Sequence, residues 1–157
     1  MALRLGLEPG SRGSSRVSLD GSTLVDGVAF AAAKSELGTG FVRILGYFRE
    51  DGVKSVAAIE AAMRANQAAA LVIPAHTLKG EARQFGAMPL AALAETIEVA
   101  ARDCVERQDT PEEALEQVTR LRPLFEQTLA LLEREANPVV PVRRPVAGGF
   151  GRRAMPG

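Results

Sequence analysis

The chain has 157 residues, 19 Lys/Arg against 19 Asp/Glu, 46% hydrophobic residues, 4% aromatic residues and no Trp. That length suits one domain with a sizeable core, and the alanine-rich, β-branch-poor composition favours helices over strands. Between residues 21 and 136 acids outnumber bases, which argues against a nucleic-acid binder, and the single cysteine, Cys104, excludes an intramolecular disulfide framework.

Residues 1–22 contain the run Pro9-Gly10-Ser11-Arg12-Gly13-Ser14-Ser15, which reads as a flexible leader. It has no apolar h-region of the kind a signal peptide needs, and no apolar run in the chain approaches the roughly 18–20 residues of a membrane span. No membrane association is therefore expected, and the single cysteine fits a reducing, cytoplasmic location. Asp26 is placed to cap a first, short helix to about Leu37, with Val28, Phe30, Ala33 and Leu37 as its packing residues. Gly38-Thr39-Gly40 ends it.

A second helix follows through Phe41, Ile44, Leu45, Phe48, Val56, Ile59 and Met63 at three-to-four spacing. Asp51-Gly52 could be a turn between two helices. One continuous helix is the preferred reading, because Gly52 is in phase with the apolar stripe and would allow close packing. Asn66 can cap a third helix, in which Pro74 should produce a kink or mark the true start. Gly86 suits a left-handed stop. Pro89 fits the first position of a fourth helix, apolar through Leu90, Leu93, Ile97, Ala100, Ala101 and Cys104, ending near Arg107.

Thr110-Pro111-Glu112-Glu113 combines a cap, a proline and acids at the positive end of the dipole, and so starts a fifth helix. That helix runs through Leu115, Val118, Leu121, Phe125, Leu129 and Leu132 to about Glu135, bent at Pro123. Residues 137–157 hold four prolines, four arginines and no acid. They read as a flexible solubilising tail or as an electrostatic arm for an acidic partner. The expectation is an all-α, antiparallel four-helix bundle over residues 23–136, with an additional short N-terminal helix. Its faces suffice for a monomer.

The only histidine, His76, lies on the third helix. At about 100° per residue, Lys79 falls about 60° to one side, Gly80 about 40° to the other and Arg83 about 20° away. Leu78, Ala82 and Phe85 lie opposite, as a core stripe should. A solvent-facing imidazole between two cations is therefore expected. There is no Walker A loop, no dinucleotide loop, no metal-ligand cluster and no second histidine. Neutral imidazole is a competent nucleophile near pH 7; attack on a phosphoryl group would create charge that Lys79 and Arg83 could compensate.

Ala75-His76-Thr77-Leu78-Lys79-Gly80, followed by Phe85-Gly86-Ala87, resembles the signature of the histidine-containing phosphotransfer (HPt) family, approximately His-x-x-Lys-Gly-small-x-x-x-x-Gly. The likeness covers the helix layout over about residues 24–135. It implies His76 as phosphoacceptor through Nε2, Lys79 at the phosphoryl group and Gly80 leaving room for a receiver domain. It implies a carrier that moves phosphate between receiver aspartates and works with a hybrid or cognate histidine kinase. The carrier would have no cofactor of its own, because the receiver brings Mg²⁺ and the acidic pocket.

Glu81 stands where the family usually has Ser or Ala. At about 140° from His76 it is expected to miss the phosphate and to pair with Lys54 or another cation, or to bias receiver choice. Gln84, about 80° round, could hydrogen-bond at the rim or be simply solvated. The alternative function is a helical adaptor that binds receivers without transferring phosphate. A kinase activity of its own is not expected, because no ATP-binding segment is present.

Overall fold

The computed structural model describes residues 16–17 and 23–137. The expectations for the leader and for the Arg-rich tail fall almost wholly outside them. In chain order the elements are β1 (Arg16–Val17), β2 (Thr23–Val25), α1 (Gly27–Leu37), α2 (Phe41–Arg64), α3 (Ala69–Gln84), α4 (Met88–Arg107) and α5 (Leu115–Ala136). Single 3-10 turns at Gly38–Gly40 and Pro111–Ala114 precede α2 and α5. Helix α2 packs on α3 and α5, and α4 packs on the same two, so the four long helices close into a bundle. Their tight connections make chain neighbours antiparallel.

The strand pair was not expected. Arg16 stands opposite Val25 and Val17 opposite Thr23 in an irregular antiparallel ribbon. Two and three residues are too few to register as alternation. What holds β2 is burial: Leu24 and Val25 are inside the core, and β2 contacts α4 and α5.

Helix α1 starts as its sequence predicts, with the Asp26 carboxylate accepting from the amides of Val28 and Ala29. Phe30 and Ala33 are buried and Leu37 is partly so. Val28, expected to pack, is instead 81% exposed. It sits in the first turn on the side of α1 away from the bundle.

Three turns between long helices use one device. The amides of Asn66 and Gln67 bond the carbonyls of Met63 and Ala62. Gly86 and Ala87 do the same to Arg83 and Ala82, and Gln108 and Asp109 to Val105 and Cys104. This is the Schellman closure, with the first residue of each pair left-handed, at φ 55°, 76° and 57° respectively. Asn66 thus ends α2 and does not cap α3, which begins at Ala69 without a side-chain cap. Asparagine tolerates the left-handed region better than most residues, so the same side chain serves either end of a helix. Gly86 also brings two elements together: its carbonyl accepts from the Asp26 amide, and a Cβ there would lie 2.9 Å from the Ala29 Cβ.

Pro74 lies inside α3, which runs through it; Pro89 occupies the second position of α4 and not the first. Thr110 is extended but makes no side-chain cap bond, and the chain completes a 3-10 turn before α5. That turn shifts the phase, so Leu115 is exposed while Val118, Leu121, Phe125 and Leu132 are buried.

Helix α2 is continuous through Asp51-Gly52. A Cβ at Gly52 would fall 2.4 and 2.5 Å from Cε1 and Cζ of Phe125. The Phe125 ring cannot swing aside freely, because it is buried against Phe48 with centroids 5.7 Å apart. Gly52→Ala is therefore expected to lose about 1–2 kcal/mol of stability by overpacking. In an uncrowded helix the same change would gain about 1 kcal/mol. Urea unfolding followed by circular dichroism reads the sign directly.

Candidate functional site

The site is assembled by the α3–α4 pair. Leu71, Ala75, Leu78 and Ala82 bury one stripe of α3, which turns His76 outward with its side chain 62% exposed. The expected orientation of the histidine holds. The surroundings differ from the expected imidazole standing free between two cations.

Glu98 of α4 projects into the α3–α4 seam, its side chain only 6% exposed. Its Oε2 lies 2.9 Å from His76 Nδ1 and accepts from Arg102 Nη2 at 2.8 Å and Nε at 3.2 Å. Its Oε1 is 2.8 Å from the Lys79 ammonium. Burial pushes the Glu98 pKa upward, but bonds from Lys79, Arg102 and His76 together outweigh it and hold the carboxyl at about 2. Glu98 is thus an acceptor-only carboxylate at neutral pH, and His76 must donate through Nδ1–H. In the neutral ring that leaves the lone pair on Nε2, directed away from the bond to Glu98.

Lys79 is therefore in the site but not free: its side chain is 17% exposed and tied to Glu98. Gly80 is exposed, with no heavy atom within 4 Å of where a Cβ would stand, so the ground beside the ring is open. Arg83, expected beside the ring, turns to Glu95 of α4 at 2.7 Å. Its Cα has the predicted direction, but a long side chain goes where a carboxylate waits. Gln84 is exposed, and its side chain forms no hydrogen bond among the described residues. Among the described residues Glu81 pairs neither with Lys54 nor with any other cation; its Oε1 is buried without a partner there.

Glu98 and Arg102 were missed by sequence reasoning. They stand 22 and 26 residues beyond His76, so no local motif links them to it. One signal was available: Glu98 occupies a core phase of α4, between the buried Ala94 and Ala101 at i−4 and i+3. An acid at such a position needs a partner, and a cation on the facing helix is where to look. Among the described residues no group of three or more His, Cys, Asp or Glu gathers as a metal site, and no helix is long and apolar enough to cross a membrane.

The model of one protein family, the Hpt domain, matches residues 43–135, more than half of the chain. The chain belongs to the Hpt family. This Hpt protein is accordingly a histidine phosphotransfer protein of two-component signalling. Among solved structures, the Hpt bundle is similar to the crystal structure of histidine-containing phosphotransfer protein B (HptB) from Pseudomonas aeruginosa PAO1. The TM-score is 0.65 at 23% identity, over 74% of this chain and 97% of that one. That likeness concerns the fold. A search of curated proteins found no match.

Proposed function

We propose that this Hpt protein carries a phosphoryl group on Nε2 of His76 between receiver-domain aspartates. The observation that carries the reading is the bond between His76 Nδ1 and the buried carboxylate of Glu98, beside an open patch at Gly80. The Nε2 lone pair attacks phosphorus of a receiver aspartyl phosphate; the N–P bond forms as the P–O bond breaks, and the aspartate leaves as a carboxylate. The ring becomes positively charged while keeping its Nδ1 proton, and Glu98 faces that charge. The phosphoryl oxygens add negative charge outside, where Lys79 and the exposed Arg102 can move from Glu98 to meet them. Arg83 and Gln84 contribute at most to the rim. Mg²⁺ comes with the receiver, and a histidine kinase supplies phosphate to the relay upstream.

The test is transfer from an acetyl-phosphate-loaded receiver, with the label mapped by mass spectrometry. The expected product is one phosphate on residue 76, labile in acid and stable in base. Label on any other residue, or none with every receiver of the source organism, removes the reading.

A further inference from the structure

A feature of the α2–α3 seam has no part in the transfer chemistry. Glu81 follows Gly80 directly, is partly buried, and lies close enough to Asp51 of α2 to feel its charge. Its Oε1 is buried with no hydrogen-bond partner. An orphaned carboxylate oxygen in such a place is costly, whereas a neutral carboxyl is much less so. From α2, Asp51 is a second carboxylate acting on it, while Lys54 of the same helix is exposed and does not pair with it. From α4, Glu95 and Glu98 are committed to Arg83 and to the His76–Lys79–Arg102 group. From α1, Lys34 and Glu36 are exposed and form no bond to it. On α3 itself Lys79 and Arg83 are already taken. Among the described residues no cation pairs with the Glu81 carboxyl to favour its charged form.

We propose that Glu81 is a proton-operated catch on the α2–α3 seam: protonated it lies closed in the seam, and ionised it favours opening of the seam toward water. The proton goes to solvent and no other bond changes. Burial first, and Asp51 second, raise its pKa from 4.5 to about 7, which places the catch in the physiological range. Because the folded-state value is raised, the stabilisation is complete below 4.5 and is lost as pH rises through about 7. Glu81 stands two residues beyond Lys79 on the helix that carries His76, so opening would be felt at the acceptor face first.

The inference does not depend on phosphotransfer and is read without it. The full chain is followed by amide hydrogen exchange over residues 77–85 and by the Glu81 side-chain carboxyl resonance. Wild type is expected to show a local opening constant about tenfold larger at pH 8 than at pH 6, after correction for intrinsic exchange. Glu81→Gln is expected to abolish that rise, and Asp51→Asn to move it to lower pH. A Glu81 carboxyl titrating in the ordinary range, or a Glu81→Gln protein with the wild-type pH profile, overturns it. Should Glu81→Gln fold poorly, the wild-type carboxyl titration alone decides.

Discussion

The His76→Gln protein is expected to fold like the wild type and to take no phosphate from a loaded receiver. The ring is 62% exposed, so its removal sacrifices little buried area. The one internal bond lost is the one to Glu98, and that carboxylate keeps both Lys79 and Arg102 as partners. The stability change should stay within about 0.5 kcal/mol, while labelling falls to background. Glutamine has no ring nitrogen to attack phosphorus, so no slow residual transfer should remain. Labelling at the wild-type rate would place the acceptor elsewhere. Loss of labelling together with loss of helical circular dichroism would show that the ring serves the fold.

Glu98→Ala is expected to affect both fold and transfer. Alanine leaves the Lys79 ammonium, 17% exposed, and His76 Nδ1–H without their acceptor. Arg102 and His76 are more than half exposed, so water replaces part of what they lose. The expected loss is about 2 kcal/mol near neutral pH, below the 3–5 kcal/mol typical of a fully buried pair.

The sign with pH follows from the lowered carboxyl. The folded-state value is about 2 against an ordinary 4.5. The contribution is thus present above 4.5 and disappears as pH falls toward 2. Wild type and Glu98→Ala should therefore converge in stability in acid. On the transfer side, the variant ring is free to rotate and to place its proton on either nitrogen. A rate loss of about tenfold to a hundredfold is expected in single-turnover transfer. Glu98→Gln keeps an acceptor but no charge and should recover part of the rate. Nitrogen chemical shifts of His76 provide the independent check: a defined Nδ1–H tautomer in wild type, and a mixture in Glu98→Ala.

Much of the bundle could be read from the chain because its signals are local. The apolar stripes of α2 and α5, the Asp26 cap and the Gly86 stop each depend on residues within one or two turns. Gly52 could be read as a contact point because a glycine in phase with a core stripe has few other uses. Asn66 was misplaced because its left-handed backbone serves the end of α2, a role that its residue type alone does not separate from a cap. Val28 and Leu115 show the same limit at helix starts, where the phase of the first turn is set by the neighbouring element.

The site divides along the same line. Sequence by itself determined that His76, Lys79 and Gly80 share one face of one helix and that Leu78 and Ala82 lie opposite, since a helix fixes those angles by its own geometry. Only the tertiary structure decided what each side chain meets there. Contacts between helices depend on register and on where long side chains find opposite charge, and neither is a local property. Folding α4 against α3 brought Glu98 to Nδ1 of His76, drew Lys79 inward, turned Arg83 to Glu95 and left Glu81 without a cation. It replaced a histidine flanked by two free cations with one oriented by a buried carboxylate.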